Sequence, residues 1–312
     1  MINVKVVDTE GNVLLSKEMS LKHTILDLKE QLQQNHPPAG KSNPLLTCIA
    51  SLSTRRVGLF LGDSKGRELF EHGKNLGAVT KTSEGLLVTY KDLGPVVSQH
   101  LVYNAAYTGP TAMVLLFYFG SKQVYGVEQS FTINQKVGAL VAFLHYFRRV
   151  IESNFVHVFT EQPLPWVAVP GIMFYYWFLF GFCVAYFFLM PGYSPWFQMS
   201  ESVTIALGCL FMLFESLNFR CHCITAGLRK PGSNERGIPQ GCGFGIVTVT
   251  NYMWEGFAWT TFIPIAQTWG SVMFMFASWL AMYSRGKEKH QKYIEQAPDY
   301  ARGKKILIPY IL

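Results

Sequence analysis

The stretch NYMWEGFAW, Asn251–Trp259, lies between the glycine-rich GIPQGCGFGIVTV, 237–249, and an apolar run with no charged residue from Gly256 to Ser284. In hydrocarbon an ionisable side chain costs about 2.5–3.5 kcal/mol, so Glu255 inside such a segment marks a pathway or a site. Asn251 stands four residues before Glu255, and a spacing of four puts both on one helical face. The rest of the chain is read outward from this buried polar pair.

Composition agrees with a chain in two solvents. Of 312 residues 49% are hydrophobic and 15% charged, against about 25% charged in ordinary soluble domains. The charge is uneven, and from Leu101 onward the sequence offers apolar spans at Leu101–Gly120, Val137–His157, Trp166–Met190 and Val203–Cys221. The expanse from Gly243 to Tyr283 is long enough for two further helices of about 20 residues each. Six spans are therefore expected. The first lies far from Met1, so an internal anchor rather than a cleaved signal peptide is expected to direct insertion.

Lys and Arg set the expected orientation. Arg229, Lys230 and Arg236 share one loop, and Arg285, Lys287, Lys289, Lys292, Arg302, Lys304 and Lys305 follow the last span, whereas the opposite loops carry mainly Lys122 and Lys136. Under the positive-inside rule both termini face the cytosol, as an even span count requires. Most of the formal net charge of +7 then faces the cytosol, where it attracts anionic lipid.

Residues before about Lys91 follow soluble rules. INVKVVD alternates as a strand, VLLSKEM follows across a turn, TILDLKEQLQQ places Ile25, Leu28 and Leu32 at helical spacing, and RRVGLFLG and GLLVTY supply further strands. Strand, strand, helix, strands is the β-grasp order. The segment ends in TYKDLGP without a free Gly-Gly tail, so an accessory module is expected and not a conjugated modifier.

Other polar residues within the spans repeat the pattern of the opening stretch. Asn218, His222 and Arg229 are separated by four and seven residues, Arg285, Lys289 and Tyr293 by four and four, and His145, Arg149 and Glu152 by four and three. Each set falls near one stripe of its helix. A single stripe can be interhelical glue or a snorkelling cation. Four stripes in one bundle point to a buried polar cavity open toward the basic end, where Arg and Lys suit a phosphate-bearing ligand.

Several chemistries are excluded by pattern. No H-E-x-x-H and no ordered Ser/His/Asp set occurs, and GIPQGCGFG is not G-x-G-x-x-G after a soluble strand. The six cysteines form no C-x-x-C pair, and adjacent Cys221, His222 and Cys223 point in different directions on a helix, so no metal site and no nucleic-acid partner are expected.

LRKPGS, GIPQGCGF, TNYMWEGFAW and the ending KHQKYIEQAPDYARGKKILIPYIL together resemble the C-terminal domain of the steroid 5α-reductase family. YKDLGP, YTGP and LHYFRRVIESNFVHVF resemble, more narrowly, the trans-2-enoyl-CoA reductases of very-long-chain fatty acid elongation, which carry an N-terminal ubiquitin-like domain. The resemblance implies a ubiquitin-like domain over 1–93 and a multi-span helical catalytic domain over 94–312, in the endoplasmic reticulum membrane. It implies NADPH as cofactor, enoyl-CoA as substrate, and membrane lipid and other elongation enzymes as partners. Carried over by motif, Asn218, His222, Arg229, Asn251, Glu255, Arg285, Lys289 and Tyr293 hold the cofactor. Tyr252 is the catalytic tyrosine, Tyr146 is the residue that polarises substrate in steroid reductases, and His145 and Arg149 face substrate. The chain departs from the enoyl-CoA reductase pattern at Ala106, where an acidic residue is expected before YTGP.

The alternatives differ in kind. A steroid or polyprenol reductase uses the same cofactor site on another acceptor, and the ubiquitin-like extension argues against it. A membrane methyltransferase that binds S-adenosylmethionine is expected to carry a Gly-Glu pair, whereas Glu255 follows Trp254. A non-catalytic scaffold leaves the buried Asn, Glu and His stripes without a purpose.

Overall fold

The computed structural model describes residues 1–35, 57–62, 69, 74–79, 85–159, 164–228 and 237–311. The chain divides into two compact units, one holding the N-terminal strands and the other the long helices.

In the first unit, β1 (Ile2–Val7) and β2 (Val13–Met19) form an antiparallel hairpin. The Asp8 carboxylate closes its turn by accepting from Glu10 N and Asn12 N, both at 2.8 Å, an Asx turn of the usual kind. Helix α1 (Ile25–Asn35) follows, starting behind Thr24 and burying Ile25, Leu28 and Leu32 as their spacing predicts. Strand β3 (Val57–Leu61), the short helix α2 (Leu76–Val79) and strand β4 (Leu86–Asp92) come next. The sheet order is β2-β1-β4-β3, with β1 and β4 parallel in the centre. Val4, Val6, Leu28, Leu59, Leu76 and Val88 are fully buried in its core. The strand β5 (Val96–Val97) pairs with β6 (Leu164–Pro165).

The second unit is a bundle of long helices: α3 (Gln99–Phe119), α5 (Ile133–Phe155), α6 (Trp166–Leu189), α7 (Glu201–Gly227), α8 (Thr250–Ala266) and α9 (Trp269–Gln296), with α4 (Ser121–Tyr125) and α10 (Pro298–Ala301) as short accessories. Each long helix falls on one of the apolar stretches read from the sequence. Two of them, α6 and α7, are long and apolar enough to cross a membrane. Local chemistry fixes the starts: Thr132 and Gln135 form a capping box on α5, Thr268 and Ser271 do so on α9, and Ser200 caps α7.

Packing sets the helix faces toward one another. The YTGP motif sits on α3, where a side chain at Gly109 would collide with the Trp177 indole, whose Nε1 donates to the Ala105 carbonyl at 3.0 Å. Gly256 likewise leaves room for Trp279, and Phe214 stacks on Trp254 at 5.9 Å between α7 and α8. Along α6, residues Phe174–Tyr186 wind as a π-helix, and Phe180 enters a core shared with Tyr146, Trp259, Phe262 and Phe274.

Candidate active site

At one end of the bundle the C-terminal parts of α5, α7 and α9 meet the N-terminal parts of α3 and α8. The charged residues there answer the cost that the sequence posed. Glu152 is fully buried and Glu215 almost so, and each is held by guanidinium groups. Arg149 donates to Glu152 Oε2 at 2.5 Å, and Arg148 pairs with Glu152 Oε1. Arg148 also donates to Glu215 Oε2 at 2.6 Å and to Asn218 Oδ1 at 3.0 Å. Two carboxylates thus face two guanidinium ions, the pairing that burial of charge requires.

His145 Nδ1 lies 2.8 Å from Glu215 Oε2, and His222 Nδ1 lies 2.9 Å from Glu152 Oε2. Arg149 reaches the Tyr107 hydroxyl at 2.9 Å. The link to the opening stretch runs through α7: Asn218 Nδ2 donates to the Asn251 carbonyl at 2.7 Å and lies 3.5 Å from Glu255 Oε2, while Asn251 Nδ2 lies 3.4 Å from His222 Nε2. On the other flank of α8, the Lys289 ammonium stands 4.1 Å from the centroid of the half-buried Tyr252 ring, a cation–π contact. Arg285 donates to the Tyr103 hydroxyl at 3.0 Å.

The residues expected from sequence are therefore distributed unevenly. Asn218, His222, Asn251, Glu255, His145 and Arg149 come together with Glu152, and Lys289 and Tyr252 join them through α8. Arg285 points to Tyr103 on α3, and Tyr293 packs its ring on Tyr300 at 5.2 Å. Arg229 lies outside the described residues. Tyr146 is fully buried behind His145, 4.6 Å from Phe180 by ring centroids, and among the described residues its hydroxyl finds no hydrogen-bond partner.

Glu215, Arg148, Tyr103 and Tyr107 belong to the cluster without having been singled out from sequence. A signal existed for Glu215, which precedes Asn218 by three residues and His222 by seven on the same stripe. Arg148 adjoins Arg149 and gave none, because neighbours along a helix face different ways.

Ligand atoms of Glu152, His157 and His222 lie within 4.8 Å of one another. Both oxygens of that carboxylate already carry guanidinium partners, so a metal cation placed there would face two like charges. For a dinucleotide the same end is better suited. The half-buried Tyr252 with Lys289 on one flank of α8 and the Asn251 amide on the other, together with Arg285 of α9, offer donors, acceptors and positive charge at this end. Just before α8 the backbone turns tightly at Gly241, Cys242 and Gly243, with φ of 75°, 49° and 96°. Cys242, unusual among non-glycine residues in this region, is tied by the Trp254 indole donating to its carbonyl at 3.0 Å.

A helix bundle with a charge-balanced polar cluster at one end defines the class, and comparison with known proteins gives the family. The family model described as 3-oxo-5-alpha-steroid 4-dehydrogenase matches residues 162–312. The chain is 32% identical over 318 residues to the very-long-chain enoyl-CoA reductase of Dictyostelium discoideum, covering all of both chains. It is 26% identical to a trans-2,3-enoyl-CoA reductase-like protein of Bos taurus, over all of this chain and 83% of that one. With 3-oxo-5-alpha-steroid 4-dehydrogenase 1 of Mus musculus it shares 29% identity over 53% of this chain and 69% of the other. The chain belongs to the steroid 5α-reductase family, among its very-long-chain enoyl-CoA reductases.

Proposed function

We propose that this protein reduces the 2,3-double bond of trans-2-enoyl-CoA with NADPH, in the last step of very-long-chain fatty acid elongation. The observation that carries the substrate class is similarity along the whole chain to an enzyme of that name. Similarity to a steroid enzyme covers about half of it. The site supports the reaction class through the convergence of Asn218, Asn251, Glu255, Tyr252 and Lys289 on α8 and its neighbours.

NADPH, when bound, supplies a hydride. The chain's own residues supply the rest. Asn251 and Glu255 offer an acceptor and a charge to the nicotinamide end, and Lys289, Arg285 and Arg229 offer cations to the phosphates, including the 2′-phosphate that separates NADPH from NADH. Reduction at the β-carbon leaves negative charge on the thioester oxygen and calls for a proton at the α-carbon. Tyr252 is the proton donor, with Lys289 over its ring, while Tyr146, whose hydroxyl is buried and unpartnered among the described residues, faces the acceptor beside His145 and Arg149.

The same reading extends to the chain's setting. Six helices span the endoplasmic reticulum membrane, both termini lie in the cytosol, and residues 1–93 form a ubiquitin-like domain before a catalytic domain over 94–312. A very long acyl tail then stays in hydrocarbon, close to membrane lipid and other elongation enzymes, while the CoA phosphates meet the basic cytosolic end.

Tyr252→Phe tests the assignment. It keeps the ring and the cation–π contact and removes one acidic hydrogen, so kcat is expected to fall by about 10²–10⁴ with NADPH affinity retained. Single-turnover reduction of a trans-2-enoyl-CoA by purified protein at saturating NADPH measures it. A rate within a few-fold of the parent excludes Tyr252, and a larger loss in Tyr146→Phe transfers the role to Tyr146.

A further inference from the structure

His222 was expected from sequence to hold the cofactor, yet both of its ring nitrogens are taken by the protein. Nδ1 lies 2.9 Å from Glu152 Oε2 and Nε2 lies 3.4 Å from the Asn251 amide nitrogen. An amide nitrogen can only donate, so Nε2 must accept; a carboxylate can only accept, so Nδ1 must carry the hydrogen. Arg149 Nη1, 3.0 Å from Nδ1, is a second donor converging on the same carboxylate oxygen, which it reaches at 2.5 Å. The carboxylate anion is the stronger acceptor at Nδ1, so the Nδ1–H tautomer keeps both the Glu152 and the Asn251 bonds of His222, and Arg149 Nη1 gives its hydrogen to Glu152 Oε2 and not to the ring. Glu152, fully buried and gripped by Arg148 and Arg149, has no freedom to move, and the imidazole inherits that rigidity.

The consequence falls on Asn251. With its Nδ2 committed to His222 and its backbone carbonyl receiving Asn218 Nδ2 at 2.7 Å, the Asn251 amide is fixed in one orientation. Its Oδ1 is then presented as an acceptor, with no donor to it among the described residues.

We infer that Glu152 is a positioning residue which, through the tautomer of His222, holds the Asn251 side chain so that its oxygen receives the N–H of a primary carboxamide, the recognition group of a nicotinamide. The inference rests on the cofactor placement proposed above. It moves His222 from cofactor contact to cofactor positioning, and it assigns a part to Glu152 on α5, 99 residues before Asn251 in sequence but joined to it through His222 by two hydrogen bonds.

Glu152→Gln turns an amide N–H toward His222, drives the imidazole hydrogen to Nε2, and sets it against the Asn251 amide. The test compares two ligands on the purified full chain: NADPH, and 2′-phospho-ADP-ribose, which has the phosphates but no nicotinamide. Glu152→Gln and Asn251→Ala are each expected to weaken NADPH about tenfold, the worth of one good hydrogen bond, while leaving 2′-phospho-ADP-ribose within twofold. In the Asn251→Ala background, Glu152→Gln should add no further loss, since the group it positions is gone. Equal weakening of both ligands by Glu152→Gln, no weakening of either, or a full second loss on top of Asn251→Ala overturns the positioning role. If instead Asn251→Ala leaves both affinities unchanged, the cofactor placement itself fails and the inference with it. Should Glu152→Gln not fold, His222→Gln and His222→Leu carry the test. Gln retains a donor for Glu152 and an acceptor for Asn251 and should keep NADPH affinity within about threefold, whereas Leu should lose it; equal affinities in the two overturn the inference.

Discussion

Replacing Glu215 by Leu removes one of two buried carboxylates that balance two guanidinium groups. Arg148 loses its 2.6 Å bond and His145 its 2.8 Å bond, and the cluster is left with one excess positive charge in a site where Glu215 is 1% exposed. Breaking a buried pair by removing one partner costs about 3–5 kcal/mol. Arg148 keeps 18% of its side-chain surface exposed and still has Glu152 and Asn218, so water and the remaining partners absorb part of the charge. The lower end, about 3 kcal/mol, is the expected loss. For a unit of this size each kcal/mol moves Tm by about 2–4 °C, giving a fall of about 6–12 °C, read by tryptophan fluorescence of the detergent-purified chain, whose Trp254 and Trp259 lie on the helix facing this cluster. The double variant Arg148→Met, Glu215→Leu restores neutrality and should recover at least half of the loss, because apolar replacement of a whole buried pair is often neutral. A single variant within 2 °C of the parent, or a double variant that loses the sum of both single changes, would refute the charge-balance argument.

Two predictions concern other parts of the chain. Gly256→Val inserts carbon where a Cβ already meets Trp279 Cε2 and Cη2 at 2.7 Å; overpacking of this kind costs about 1–3 kcal/mol, and an unchanged Tm would show that α8 and α9 are not in close contact there. In the first unit, Asp27 accepts from Thr24 N at 2.7 Å and from its hydroxyl at 3.0 Å, which holds its carboxyl below the usual value of 3.8. A carboxyl lowered by folding contributes stability above its unfolded pKa and loses it as pH falls through the folded value. Protection of α1 amides against hydrogen exchange, corrected for intrinsic rates, should therefore decline on acidification below about pH 4, and this component should vanish in Asp27→Asn; an identical decline in both proteins would locate the effect elsewhere.

Much of the fold was legible in the chain because it depends on local chemistry. Apolar runs of helical length mark α3, α5, α6, α7, α8 and α9, and the capping residues Thr132, Ser200 and Thr268 stand where those helices begin. In the N-terminal unit the alternation of β1 and the spacing of Ile25, Leu28 and Leu32 gave both the elements and their buried faces. The stripes were equally local: 3.6 residues per turn puts Asn218 beside His222 and Asn251 beside Glu255 whatever surrounds them.

What the stripes touch was decided only by tertiary packing. Helical periodicity fixes which residues share a face but not the rotation of that face relative to a neighbour, which follows from side chains meeting over long sequence distance, such as Trp279 against Gly256. That rotation brings Glu152 of α5 to His222 of α7, Arg148 to Glu215, and Lys289 to the Tyr252 ring, while turning Tyr293 away to Tyr300. It also spends both nitrogens of His222 on protein partners, which no spacing along one helix could reveal. The sequence by itself determined that polar groups would be buried in this bundle. The packing of α5, α7 and α8 decided which of them neutralise one another and which remain to meet a ligand, because a buried charge is tolerated only where a partner from another helix arrives.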